Sequence, residues 1–132
     1  GGTYKGVAGV VAISAPAWWG AWDTPATRRI QRYAMTPAGR QFLAVFMRTR
    51  IAQVCEGVPH AEAQAGAISP AFTLVVADPA DHYFDEEHPR TIYKWANEPK
   101  DLWLLPGTGH GTDLLGPAFT TRLLAELERR LG

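Results

Sequence analysis

The chain of 132 residues carries a single cysteine, Cys55. An internal disulfide is excluded, and a reducing compartment fits. An excess of charge of either sign is missing too, since thirteen basic side chains balance thirteen acidic ones. A net electrostatic footprint for nucleic acid or an anionic lipid surface is therefore lacking, and neither partner is expected. No apolar run approaches the length of a membrane span, and Gly1-Gly2-Thr3-Tyr4-Lys5 does not read as a signal peptide. A cytoplasmic protein is the expectation. Internal repeats and low-complexity tracts are lacking as well. What remains, 46% apolar and 20% charged residues, suits one folded domain or a piece of a larger one.

Three apolar runs punctuate the chain. Val7 to Ala15 is Val, Ala and Ile with almost no polar face, as in a strand buried on both sides, and Pro16 ends it. Pro70 opens a second run that ends at Asp78, and Lys100 to Leu105, apolar from Leu102 on, reads as the third strand. Between the first two, Thr24-Pro25 and Thr36-Pro37 are near-identical helix starts, each a threonine N-cap followed by proline at the first helical position. The second of these helices carries Phe42, Val45, Phe46 and Ile51 at helical spacing, with Arg40, Arg48 and Arg50 at more polar positions. Residues 52–69 read as loop with one short helix. Asp85-Glu86-Glu87 starts a helix to about Ala96, and Pro117 to Leu131 is a terminal amphipathic helix. The expected class is α/β, with three layers, parallel strands and crossover helices, plus a helical lid-like insert over about 17–69. Three parallel strands make a thin sheet, and one flank would present an unpaired apolar edge.

An acid and a histidine fall just past the last two strands. Asp81 follows Phe72-Thr73-Leu74-Val75-Val76-Ala77, and His110 follows Leu102-Trp103-Leu104-Leu105 within Pro106-Gly107-Thr108-Gly109-His110-Gly111. In an open α/β sheet ligands bind beyond the carboxyl ends of strands. A carboxylate there can fix the tautomer of an imidazole whose other nitrogen takes a proton from a nucleophile. The spacing alone also fits a surface histidine and a helix-capping aspartate.

The stretch from Pro70 to Asp113 resembles the C-terminal half of the α/β-hydrolase family. The residues that carry the resemblance are Leu74-Val75-Val76-Ala77-Asp78-Pro79-Ala80-Asp81-His82-Tyr83-Phe84 and Leu102-Trp103-Leu104-Leu105-Pro106-Gly107-Thr108-Gly109-His110-Gly111. Gly9-Val10-Val11-Ala12-Ile13-Ser14-Ala15-Pro16 looks like the strand that follows the nucleophile-bearing strand and its helix. The resemblance implies that Asp81 is the triad acid and His110 the base, and that the helices after Trp22 stand where the family places a lid. Ala77 departs from the glycine many members carry.

The family's nucleophile elbow, G-x-S-x-G, is missing. Ser14 has Pro16 two residues on and no helix directly after it. Ser69 precedes Pro70, which has no backbone N–H to offer an oxyanion, and Cys55 has no strand before it. The nucleophile is expected upstream, in a missing N-terminal half or a second chain that completes the sheet. The parent protein is then a serine hydrolase acting on the ester, amide or similar acyl bond of a small-molecule substrate, and the present chain is expected to be inactive alone. Two other readings stand beside it: a non-catalytic half-sheet that pairs with another chain, and a binder of small apolar ligands. Trp18, Trp19 and Trp22 crowd one loop and either line an acyl pocket or anchor the insert. Asp78, Asp81, His82, His88 and His110 have no zinc-like spacing, so no metal and no cofactor is expected.

Overall fold

Phe72-Thr73-Leu74-Val75-Val76-Ala77 has no charged position, and all six residues are buried as the central strand of a parallel sheet. The computed structural model describes residues 6–18, 20, 23–51 and 59–132. Among them the elements run β1 (Gly9–Ile13), α1 (Pro25–Ala34), α2 (Pro37–Phe46), α3 (Ala61–Ala65), β2 (Phe72–Ala77), α4 (Glu87–Trp95), β3 (Lys100–Leu104) and α5 (Pro117–Leu131). The sheet order is β1-β2-β3, with Gly9 opposite Phe72 and Thr73 opposite Lys100. The three strands and the major helices therefore lie where the apolar runs and caps place them.

The side chains of β2 alternate between two cores, as strand geometry requires. Phe72, Leu74 and Val76 pack with Leu114 and Phe119, and Leu123 and Leu127 of α5 close over them. Val75 points the other way, into a cluster with Ala65, Ile92 and Ala96 from α3 and α4. Helices thus cover both faces of β2, while β1 and β3 are only partly buried. Among the described residues β1 is paired on one side alone.

β1 is shorter than the apolar run that encodes it. Ser14 turns to φ +46°, outside the extended region, although its N–H still donates to the Val76 carbonyl at 2.9 Å. An L-residue in that left-handed region is disfavoured by about 1 kcal/mol, so something local must hold it there.

Both threonine caps form. The Thr24 hydroxyl accepts the Thr27 N–H, and the Thr27 hydroxyl accepts the Thr24 N–H, each at 3.2 Å. The Thr36 hydroxyl accepts the Gly39 N–H at 3.0 Å and donates to the Tyr33 carbonyl at 2.9 Å. Glycine at 39 permits this close start. A Cβ there would lie 1.9 Å from the Tyr33 carbonyl oxygen, with backbone on the other side of the clash. α1 and α2 consequently form a tight helical hairpin. It is tied to the loop after β2 by the Thr24 hydroxyl, which donates to the Tyr83 carbonyl at 3.1 Å.

Candidate functional site

The ends of all three strands converge on the turn that carries His110. Leu105-Pro106-Gly107-Thr108-Gly109 leaves β3, and the Thr108 hydroxyl donates to the Leu105 carbonyl at 2.6 Å, which closes the turn. Gly109 adopts φ +80°, and a Cβ there would press on the Asp113 side chain at 3.0 Å. Glycine is thus needed at 109 for both conformation and space.

Asp81 and His110 meet. His110 Nδ1 lies 2.7 Å from Asp81 Oδ2, with the carboxylate side chain 1% exposed and the imidazole 28% exposed. The other oxygen, Asp81 Oδ1, accepts the N–H groups of Tyr83 at 2.7 Å and Phe84 at 3.4 Å. The carboxylate is therefore an acceptor on both sides, and the imidazole supplies the proton between them as Nδ1–H. That leaves Nε2 as the basic nitrogen. Tyr83 sets its ring edgewise to the imidazole with centroids 4.6 Å apart, and the Phe84 ring is tilted against it at 5.5 Å. Among the described residues no hydroxyl or thiol is hydrogen-bonded to Nε2.

Two further side chains, neither identified as a site residue from the sequence, hold the amides on either side of His110. Asp78 Oδ2 accepts the Gly109 N–H at 2.8 Å, and its Oδ1 accepts the Ala80 N–H at 2.8 Å. Ser14 Oγ accepts the Gly111 N–H at 3.0 Å. This contact is what the left-handed conformation of Ser14 achieves: it aims a buried hydroxyl across two strands at the histidine turn. The neighbours of Ser14 in sequence do not suit a nucleophile, and in the fold its hydroxyl positions that turn. The only sequence signal for either role is a short polar residue directly after a buried strand.

The Ala80 and Gly109 amides, followed by those of Thr108 and Gly107, hold the Asp78 carboxyl below its ordinary range, against the opposing effect of burial. A depressed native pKa means that the carboxylate stabilises the fold above its unfolded pKa of about 3.9 and loses that contribution as pH falls through the lower native value. Asp78→Asn is expected to cost about 2 kcal/mol near neutral pH, because the amide NH2 must face a backbone donor. In urea titrations across pH, the gap between wild type and variant should shrink below about pH 4. A gap that stays constant into strong acid would show that the charge is not responsible.

His88, placed by the sequence at a charged helix start, is instead fully buried. Its Nδ1 accepts the Ala17 N–H at 3.1 Å and its Nε2 faces Asp23 Oδ2 at 3.2 Å, so the proton resides on Nε2. Trp18 packs against this ring with centroids 4.2 Å apart and joins the α3–α4 core cluster. Trp19, Trp22 and Cys55 lie outside the described residues. Among the described residues no group of three or more His, Cys, Asp or Glu side chains is placed to hold a metal ion. No helix among them is long and apolar enough to cross a membrane.

Comparisons with protein-family models, curated proteins and solved structures give no match for this chain. The class of protein defined by fold and site is thus an α/β protein with a histidine–carboxylate pair at the ends of its parallel strands.

Proposed function

We propose that Asp81 and His110 are the acid and the base of a nucleophile–base–acid triad, and that this chain is the C-terminal part of a cytoplasmic serine hydrolase of the α/β-hydrolase type. The observation that carries the reading is the 2.7 Å contact between a buried carboxylate and a half-open imidazole, with no hydrogen-bond partner for Nε2 among the described residues. Such a pair orients the ring and stabilises the imidazolium formed when Nε2 takes a proton from an attacking hydroxyl. The sequence resemblance supplies the remaining parts. A serine from an elbow N-terminal to these residues attacks the acyl carbon as Nε2 takes its proton, the bond to the alcohol or amine breaks as Nε2 hands that proton to the leaving group, and water then hydrolyses the acyl-enzyme to the acid and the free serine. The α1–α2 hairpin, tied to the acid loop through Thr24 and Tyr83, takes the part of a lid. A fluorophosphonate probe on the complete enzyme is expected to label one serine outside this chain, and His110→Ala should abolish the labelling. Undiminished labelling of the variant would remove His110 from the mechanism.

A second reading has an observation of its own. Beside the one-sided strand β1 lies an apolar cavity of about 360 Å³ lined by Val10, Ala12, Ala65, Ile68, Thr73 and Ile92. An edge strand next to such a cavity suits a half-sheet that pairs with another chain. Light scattering after size exclusion separates the cases: a stable assembly of this chain supports pairing, and a well-behaved monomer counts against it.

A further inference from the structure

The even balance of charge over the whole chain is the sum of two unequal parts. Residues 24–51, which make up the α1–α2 hairpin and its exit, contain six arginines and no acidic residue, so all thirteen acids lie elsewhere. Arg28, Arg29, Arg32, Arg48 and Arg50 are exposed and Arg40 is partly so. Among the described residues none of the six is in an ion pair; Arg28 donates to the backbone carbonyl of Asp23, and Arg32 lies over the neighbouring Tyr33 ring. Among the described residues the same hairpin carries the most exposed apolar side chains. Phe42, Val45, Phe46 and Met47 are each more than half exposed, Phe46 the most at 73%. Phe42, Val45 and Phe46 share one face of α2 by their spacing, and the two phenyl rings touch with centroids 4.8 Å apart.

We propose that this hairpin is a docking surface for an anionic lipid bilayer. Its arginines meet lipid phosphates while the side chains at the C-terminal end of α2 enter the boundary between headgroups and acyl chains. Each helix has ten residues, about 15 Å, so the hairpin lies on the surface and does not span it. Phosphate matches the arginines, which form no ion pair among the described residues, and the same surface offers a place for Val45 and Met47, aliphatic groups with nothing to contact on a phosphate backbone or a run of acidic side chains. The proposal does not depend on the hydrolase reading, since it uses no residue of the histidine–carboxylate pair.

Sedimentation of the full chain with vesicles tests it. Binding is expected to vesicles of phosphatidylcholine with phosphatidylglycerol, to fall as salt rises, and to be lost with phosphatidylcholine alone. Removing one arginine near the surface should weaken partitioning roughly fivefold, so Arg40→Gln with Arg48→Gln and Arg50→Gln should weaken it about a hundredfold. Phe42→Ser with Phe46→Ser should weaken it at least about tenfold. Arg129→Gln on α5, which removes an arginine paired with Glu126, should leave it unchanged. All the hairpin side chains changed are at the surface, and circular dichroism confirms that the variants fold. Equal binding to both vesicle types, or binding to neither, overturns the proposal. So does binding to RNA or polyglutamate that needs the arginines and ignores the phenylalanines, which would assign the surface to an acidic polymer.

Discussion

Asp81→Asn is expected to lower kcat of the proposed hydrolase about ten-thousandfold while leaving the fold intact. The reason is a constraint on which way an amide can turn. Asp81 Oδ1 accepts the Tyr83 and Phe84 N–H groups, so in the variant the amide oxygen stays there and the NH2 faces His110. A ring nitrogen facing a donor must be an acceptor. The imidazole proton then moves from Nδ1 to Nε2, and the nitrogen that should receive a proton from the nucleophile already carries one. The tautomer is also measurable in this chain without any catalysis. Imidazole 15N shifts should report Nδ1–H in the wild type and Nε2–H in Asp81→Asn. A loss in kcat below about tenfold, or an unchanged tautomer, would remove Asp81 from the orienting role.

The second large effect is on stability. His88→Ala is expected to destabilise the protein by about 4 kcal/mol, a major share of what a domain of this size has. A fully buried ring is lost from between Trp18 and Phe84, and the Ala17 N–H loses its acceptor. Deleting a buried aromatic ring leaves a cavity, and an orphaned buried amide adds its own desolvation cost. Urea denaturation followed by tryptophan fluorescence gives the value. A loss under about 1 kcal/mol would mean that Ala17 and Asp23 are held by contacts other than those with His88. The His88–Asp23 and His110–Asp81 pairs hold opposite tautomers, and the difference follows from their partners. His88 Nδ1 faces a backbone N–H, whereas His110 Nδ1 faces an acceptor.

Much of the fold was legible because its signals are local. Thr-Pro pairs marked α1 and α2, mostly apolar runs marked the strands, and alternation of the elements implied parallel pairing. Asp81 and His110 stood out for the same reason, as polar residues that closely follow apolar runs. What sequence could not show depends on long-range geometry. The Ser14 hydroxyl reaches Gly111 across 97 positions, and Ala17 reaches His88 across 71. His88 sits among Asp85, Glu86, Glu87 and Arg90, so its neighbours in sequence suggest a surface, and only the packing of Trp18 and Phe84 buries it. The charge of the hairpin was present in the sequence but hidden by summing over the whole chain.

The pairing of Gly9 with Phe72 has a consequence for the cost of closing the chain. β1 joins β2 across more than sixty residues, whereas Thr73 meets Lys100 across fewer than thirty. The entropy of loop closure grows only with the logarithm of length, so a little more than doubling the loop costs about 0.7 kcal/mol. The sheet therefore spends almost nothing on carrying α1 and α2. The hairpin can be lengthened, shortened or exchanged with little effect on the strands that hold Asp81 and His110, which leaves the surface chemistry of residues 24–51 free to change while the pair at the strand ends stays as it is.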